Sequence, residues 1–237
     1  ERIQVGLLNI MEERDVQIRG YKIRLPLDVF VVASANPEDY TNRGRIITPL
    51  KDRYGSQIRT HYPETIALEI DILEQESAHY TIPEAPVTVP DFMKEIVAEI
   101  THAARRSPDV SQRSGVSVRL TVANLETLVA NAARRTLIHG EFDVVPRVSD
   151  LEALASSTAG KLEIETIEEG RDEQIVEQLL KAAILSVFRD HLAVENLRDV
   201  VDAFEGDRIV HAGEDVTSSD YLELLADVPV LQAPVEA

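Results

Sequence analysis

The sequence predicts an α/β segment followed by an all-α segment. Residues 29–33 form a short, continuous apolar run rich in β-branched side chains, which is typical of a strand buried on both faces of a parallel sheet. Beyond Pro83, Pro86 and Pro90, apolar residues instead recur at the spacing of one helix face. The change of pattern at these prolines therefore separates two fold classes along the chain.

Composition excludes several classes of protein. The 237 residues include 44% hydrophobic but only 5% aromatic side chains, so we expect an aliphatic core. With no cysteine, and with six histidines that lack ligand spacing, no metal site is predicted. The net charge of −18 argues against a broad nucleic-acid-binding surface. No apolar run reaches membrane-spanning length and no signal peptide is evident, so we expect a soluble, cytoplasmic protein without membrane contact.

The first segment, residues 1–79, is predicted to alternate helices with strands. Because Glu1 already belongs to an amphipathic helix, we interpret the chain as a fragment of a longer parent. Gly20 is expected in the turn of a β-hairpin, and Pro49 in the first turn of a short helix that ends near Arg53. The predicted order is helix 1–13, hairpin 15–26, strand 29–35, short helix 48–53, strand 57–61 and helix 64–77.

A proline-rich linker at residues 80–90 is predicted to separate this segment from a helical domain that ends at residue 165. Thr121 is expected to cap the central helix of that domain, and Gly140 to end it. Residues 166–237 are predicted to form an acidic helical extension. Helices are expected to begin near residues 92, 121, 149, 171, 194 and 218, the third of them with a capping box at Ser149–Glu152.

Asn36 follows the predicted buried strand, at the sheet edge where ligands bind in open α/β folds. Together with Pro37 it fits an ordinary turn at a strand end. Alternatively, its carboxamide orients an attacking water or donates to a γ-phosphate. The residues alone leave both interpretations open.

Two arginines also have two interpretations each. Arg53 either compensates the dipole of its helix or supplies charge to a phosphoryl group from a neighbouring subunit. Asp52 would then hold that guanidinium or simply face solvent. Arg119 is either an exposed residue before the central helix or a phosphate contact. The hairpin cations form a solvated face or a binding patch, and they are Arg19, Lys22 and Arg24.

The order of these motifs resembles the AAA+ ATPases, in particular the branch that holds the magnesium chelatase ATPase subunit and the MoxR-type ATPases. The resemblance covers roughly the first 160 residues. Each motif is short, and their specificity lies in their order. They are Leu7-Leu-Asn-Ile-Met-Glu-Glu13, the hairpin 15–26, Val31-Val-Ala-Ser-Ala-Asn-Pro-Glu38, Leu50-Lys-Asp-Arg-Tyr-Gly55 and Ser117-Val-Arg-Leu-Thr121.

This resemblance implies a role for each of the candidate residues. Residues 15–26 match the family's pre-sensor 1 hairpin and Asn36 its sensor 1 position. Arg53 matches the arginine finger, and Arg119 the sensor 2 arginine of a helical lid. The family binds ATP and Mg²⁺ between the subunits of a ring, commonly a hexamer. Many members remodel or load a partner that carries a von Willebrand A domain.

The chain departs from the family because it contains no Gly-x4-Gly-Lys-Ser/Thr phosphate loop. In the family, the Walker A and Walker B motifs lie upstream of the helix that opens this chain. The expected fold is therefore the C-terminal part of an AAA+ αβα nucleotide-binding core (1–79), a helical lid (80–165) and a C-terminal helical extension (166–237). ATP hydrolysis is expected of an intact parent, whose missing part binds most of the ATP and Mg²⁺, and not of this chain alone.

Two other functions fit the residues. One is a non-catalytic oligomerisation or interaction module that lacks its own nucleotide cradle. The other is DNA translocation through the hairpin cations, which the net charge of −18 opposes.

Overall fold

The computed structural model describes residues 2–24, 30–35, 46–77, 85–111, 114–164, 171–193, 197–205, 209–232 and 234. Helices dominate this part of the chain, which divides into two compact units, unit 1 (Glu1–His61) and unit 2 (Tyr62–Ala237). Unit 1 contains α1 (Arg2–Glu13), β1 (Asp15–Ile18), β2 (Tyr21–Arg24) and α2 (Thr48–Lys51). Unit 2 contains α3 (Ile66–Glu76), α4 (Asp91–Arg106), α5 (Arg119–His139), α6 (Leu154–Ala159), α7 (Arg171–His191), α8 (Arg198–Phe204) and α9 (Ser218–Asp227), with 3₁₀ helices at Val148–Ala153 and Pro229–Leu231.

The hairpin predicted for residues 15–26 is confirmed over residues 15–24, and residues 25–26 lie outside the described residues. Its two strands pair antiparallel, with Ile18 opposite Tyr21 next to the turn. The turn consists of Arg19 and Gly20, whose φ angles are 50° and 86°. Positive φ at both central residues is the geometry of a type I′ turn, whose twist matches that of the flanking strands. Local turn chemistry therefore fixes the register of this hairpin.

The α/β core predicted for the first segment is wrong for the described residues. Their one sheet is the two-stranded β1–β2 hairpin, and no α/β nucleotide-binding core is present among them. Residues 30–35 and 57–61, predicted as strands, pair with no strand there, and Phe30, Val32 and Ile58 are 92%, 80% and 87% exposed. A strand is stable only where a neighbouring strand satisfies its backbone groups. The apolar run indicated a capacity for burial, but a local pattern does not supply neighbouring strands.

The helical prediction for the later part of the chain is confirmed, and helices α3 to α7 enclose the core of unit 2. This core is aliphatic, as the composition predicted, and it consists of two clusters of buried side chains. The larger cluster comprises Leu73, Met93, Ile96, Val97, Ile100, Leu125, Leu128, Val129, Leu151, Leu154, Ala183 and Val187. The smaller comprises Ala104, Val110, Val116, Leu120, Leu162, Ile175 and Leu179. Both clusters join α4 and α5 to α7.

Helix boundaries follow capping chemistry, with two corrections to the predictions. Gly140 ends α5 in the left-handed conformation, with φ at 67°, as predicted. However, α5 begins at Arg119, and Thr121 is buried inside its first turn with its hydroxyl bonded to α3 and α4. The capping box predicted at Ser149 is also wrong, because the Asp150 carboxylate instead accepts the backbone N–H three residues earlier, at 2.7 Å, and opens a 3₁₀ helix. Tertiary partners override the local signal at both places.

The loops of unit 2 are tied together by two isolated β-bridges, Val87 with Val144 and Val110 with Ile164. The first bridge lies in the predicted linker, whose described end therefore pairs with the loop after α5. The domain limits predicted at residues 79 and 165 stay a prediction. Of the helices within the described ranges, none is both long enough and apolar enough to cross a membrane.

Candidate functional site

Arg119 is the first residue of α5, and its side chain is exposed. Its backbone N–H donates to the Ser117 hydroxyl at 3.3 Å. Within the described part of the chain, its guanidinium has no hydrogen bond or ion pair. The guanidinium therefore presents an available cation at the positive end of a 21-residue helix, an arrangement suited to an anion.

A buried ion pair lies beneath the first turn of α5. Glu69 is fully buried on α3, and Arg105 of α4 donates to both of its carboxylate oxygens, from Nη1 at 2.6 Å and from Nη2 at 3.0 Å. His102 Nε2 lies 3.1 Å from the same carboxylate, and the Thr121 hydroxyl donates to it. We call Glu69, His102, Arg105 and Thr121 the Glu69 cluster. A buried carboxylate is tolerated only with such complete pairing.

Arg105 also binds the segment that leads into α5. Its Nε donates to the Val116 carbonyl at 3.0 Å, and its guanidinium stacks over the Tyr62 ring at 4.5 Å from the centroid. Gly115 lets the chain pass this ring, because its φ is 69° and a Cβ there would overlap the Tyr62 hydroxyl. The segment that enters α5 is therefore fixed at Gly115 and Val116, just before Arg119.

Arg53 follows α2 in unit 1, and its side chain is 29% exposed. Its guanidinium forms an ion pair with Glu12 of α1, and Nη1 donates to the Pro49 carbonyl. Of the two roles considered for Asp52, the structure supports the exposed one, since Glu12 holds the guanidinium. Arg53 Nε is buried and has no hydrogen-bond partner within the described residues.

The structure does not bring the sequence-predicted site residues together within one compact unit. Arg53 belongs to unit 1, Arg119 belongs to unit 2, and Asn36 lies outside the described residues. Sequence reasoning missed the Glu69 cluster. A signal was present, because Glu69 falls between Ile66 and Leu73 on the apolar face of its helix, and a charge on such a face requires a buried partner.

A second polar cluster, the Arg135 cluster, lies at the other end of α5. It extends from two buried residues, Arg135 and Asp150, through the partly buried Glu141 and Arg147 to the exposed Ser218. Arg135 is 2% exposed and donates to both oxygens of Asp150, at 3.2 and 3.1 Å, and to Glu141 at 2.9 Å. Arg147 donates to the other Glu141 oxygen at 2.8 Å and to the Ser218 hydroxyl at 2.6 Å. Since Ser218 opens α9, this cluster joins the C-terminal helices to the end of α5.

Hydrogen bonds favour the ionised form of Glu141 in this cluster and of Glu214 beside it. Burial disfavours the charge of Glu141, but the N–H and hydroxyl of Ser218, at 2.7 and 2.9 Å, and the charge of Arg147 outweigh burial and lower its pKa. The pKa of the adjacent Glu214 is likewise lowered by its hydrogen bonds from Asn131 and Arg134, at 3.0 and 2.9 Å. Both carboxylates therefore hold the C-terminal segment as anions at neutral pH.

The described residues offer groups for phosphate but not for a metal. No group of three or more His, Asp or Glu side chains among them is arranged to hold an ion. Arginine guanidinium groups suit phosphate oxygens, and Arg119 is placed to use its own in this way. Among the described residues, the Arg119 guanidinium could therefore meet an anion such as phosphate, and no cluster of ligands suited to a metal ion is present.

Comparisons with known proteins assign no activity. No family model and no solved structure matches the chain. The chain is similar to a Bacillus subtilis (strain 168) protein named "Uncharacterized protein YeaC", with 29% identity over 174 residues, which cover 66% of this chain and 52% of that protein. The chain thus spans about half the length of this curated relative.

Proposed function

We propose that the chain is part of an ATP-binding, ATP-hydrolysing ring motor of the AAA+ class, resembling the magnesium chelatase ATPase subunit. It supplies Arg53 and Arg119 to a nucleotide whose phosphate loop and Mg²⁺ ligands lie outside the 237 residues. The observation that carries this proposal is the exposed Arg119 guanidinium, unpaired within the described ranges, on a helix whose entry is anchored by a buried ion pair. The proposal includes no α/β core within the described residues.

Arg119 contacts the phosphates of the nucleotide from the helical unit. Negative charge spreads over the γ-phosphate oxygens during transfer, and the planar fork of an arginine donates to two of them at once. A charge-assisted hydrogen bond of this kind contributes about 1.5–3 kcal/mol. Arg119 therefore favours binding as well as turnover.

Arg53 acts as the arginine finger for a nucleotide held by a neighbouring subunit. To reach a phosphate it exchanges Glu12, whose side chain is 51% exposed, for another anion. Ion pairs at the surface are worth roughly 0–1 kcal/mol, so the exchange costs little. An arginine finger contributes about 10³-fold or more to turnover, which far exceeds that cost.

The proposed motor is a cytoplasmic homo-oligomeric ring, of which the hexamer is the commonest form in the resembling family. It remodels or loads a partner protein, for which one with a von Willebrand A domain is the proposed class. Asn36, which lies outside the described residues, keeps its proposed role of orienting water or phosphate.

A non-catalytic interaction module is the second candidate function. One observation favours it: the Arg53 guanidinium is bound by Glu12 within its own chain. In that case Arg53 is a structural residue that joins α1 to the segment after α2.

ATP turnover and nucleotide binding by the natural protein that contains these residues distinguish the two functions. We expect Arg53→Ala to retain binding and to lose about 10³-fold in turnover, because the finger acts on the transition state. We expect Arg119→Ala to weaken binding about 10- to 100-fold, since it removes a charge-assisted hydrogen bond. Arg59→Ala, which changes an exposed arginine of the same unit as Arg53, is the matched control and should leave both unchanged.

Full turnover by Arg53→Ala would exclude the finger role. Wild-type protein that neither binds nor hydrolyses ATP would exclude the motor and leave the interaction module. Mixing wild-type and Arg53→Ala subunits tests action between subunits, because each variant subunit should then silence a site on its neighbour.

A further inference from the structure

We propose that Arg105 is a positioning residue, which acts through Arg119 and sets the direction in which the Arg119 side chain meets phosphate. The inference rests on the proposed function, because it concerns the same nucleotide contact. Arg105 is largely buried, with its side chain 11% exposed, and its guanidinium donors bind Glu69 and the Val116 carbonyl.

The geometry joins Arg105 to Arg119 from both sides along the chain. Three residues before Arg119, the Val116 carbonyl accepts from Arg105 Nε at 3.0 Å. Two residues after it, the Thr121 hydroxyl donates to Glu69, the carboxylate that Arg105 binds through two nitrogens. One buried ion pair therefore fixes the backbone before and after Arg119.

Apolar burial adds to these two anchors without replacing them. Val116 and Leu120 are each 1% exposed in the smaller core cluster, on either side of Arg119. Apolar burial keeps a side chain in the core without fixing its orientation, whereas hydrogen bonds have a preferred geometry and do fix it. The carbonyl and hydroxyl anchors therefore determine how the first turn of α5 is rotated, and with it where the Arg119 guanidinium lies.

Lysine cannot reproduce this arrangement. Arg105 uses Nε for the Val116 carbonyl and Nη1 and Nη2 for the Glu69 carboxylate, and all three donors lie in one plane. An ammonium group keeps the charge but offers one centre, so it pairs with Glu69 and releases Val116. Arg105→Lys therefore preserves the charge of the buried pair and removes its hold on the entry to α5.

A double-mutant cycle on the natural protein tests the inference, with a fluorescent, non-hydrolysable ATP analogue as the probe. The four proteins are wild type, Arg105→Lys, Arg119→Ala and the double variant. We expect Arg105→Lys to raise the Kd about tenfold in the wild-type background, and to change it no further once Arg119 is alanine. A purely structural role of Arg105 would give the same factor in both backgrounds.

Arg106→Lys is the matched control for this cycle. Arg106 is the next residue of α4 and pairs with Glu99, and it has no hydrogen bond to the described residues before α5. Its Kd should equal that of the wild type. The other anchor provides a second route that keeps the buried ion pair: Thr121→Val removes the hydroxyl and should raise the Kd, whereas Thr121→Ser keeps it and should restore wild-type affinity.

The outcomes separate this inference from the function on which it rests. Binding that depends on Arg119 but not on Arg105 or Thr121 would overturn the inference and leave the motor. Equal factors in both backgrounds would do the same. Wild-type protein that binds no analogue, or binding indifferent to Arg119→Ala, would overturn the proposed function and this inference together.

Discussion

Arg135 is buried in unit 2, and Arg105 is largely buried there. Each uses its donors on a carboxylate and on a backbone carbonyl, so that neither side chain leaves its charge unpaired. Buried ion pairs give little net stability relative to apolar groups, but losing one partner costs about 3–5 kcal/mol. The main contribution of these two residues to the fold is therefore orientation. Each fixes the position of one loop relative to one end of α5.

Gly115 leaves room for the Tyr62 ring that stacks on Arg105, and this leads to a prediction about stability. Gly115→Ala introduces left-handed strain of about 1–2 kcal/mol and also displaces Tyr62 from the Arg105 guanidinium. We expect a total loss of about 2–3 kcal/mol in the free energy of unfolding, measured by urea denaturation. The Kd for the ATP analogue should rise as well, because the entry to α5 shifts.

Gly140→Ala is the control for strain alone. Gly140 has a similar left-handed φ, at 67°, but apart from its own chain neighbours no atom of the described residues lies within 4 Å of the added Cβ. It should lose only the strain component, about 1–2 kcal/mol, and leave the Kd unchanged. Equal losses for the two variants would show that the Tyr62 contact contributes nothing.

At the scale of elements, α5 is tied at its two ends to different parts of unit 2. The Glu69 cluster joins its first turn to α3 and α4, and the Arg135 cluster joins its last turns to the 3₁₀ helix and to α9. The buried apolar residues between these ends, such as Leu128, bind α5 to the rest of the bundle. Among these contacts of α5, the one with α9 depends mainly on the charge of carboxylates near the surface.

The docking of α9 should therefore weaken in acid. The pKa of Glu141 is lower in the folded state than its ordinary value of 4.5, so its contribution to stability is complete above that value and is lost as pH falls through the lowered pKa. Glu214 adds a loss of the same sign. Hydrogen exchange of residues 218–227 at pH 7, 4 and 3 should show their protection falling below pH 4.5, before that of α4.

Glu141→Gln should weaken α9 protection already at pH 7 and flatten its pH dependence, because the amide does not titrate. Glu177→Gln, in an exposed pair with Lys181, is the control and should leave α9 unchanged. Acid-independent protection of α9 in the wild type would contradict the assignment of its docking to these carboxylates.

Elements that depend on residues close in sequence were predictable, and those that depend on partners far away in sequence were not. Gly140 and the turn at Gly20 act through their own backbone angles, so the end of α5 and the hairpin followed from sequence. The apolar run at 29–33 needed partner strands, which no local pattern reveals. Arg119 could be proposed from its motif. The ion pair that holds the entry to its helix could not be predicted, because Glu69 and Arg105 are 36 residues apart in the sequence.

At the scale of the whole molecule, apolar burial is concentrated in unit 2. Both buried clusters consist of unit 2 residues, whereas Leu50 is the one buried hydrophobic side chain among the described residues of unit 1. Burial of apolar area is the main source of stability, at about 25 cal/mol per Å². The two units should therefore differ in stability although they belong to one chain.

Native-state hydrogen exchange in increasing, sub-denaturing urea measures this difference. Amides in α4, α5 and α7 should exchange only through opening that exposes the clusters, with a strong dependence on urea. Amides of α1 and the hairpin should exchange through local opening, with lower protection and little urea dependence.

Leu128→Ala should cost unit 2 about 2–5 kcal/mol and leave unit 1 unchanged, because Leu128 is fully buried in the larger cluster. Leu137→Ala on the same helix, where the side chain is 71% exposed, should change neither unit. Equal protection in both units, or a loss in α1 on Leu128→Ala, would mean that they unfold as one cooperative body, and unit 1 would then draw its stability from unit 2.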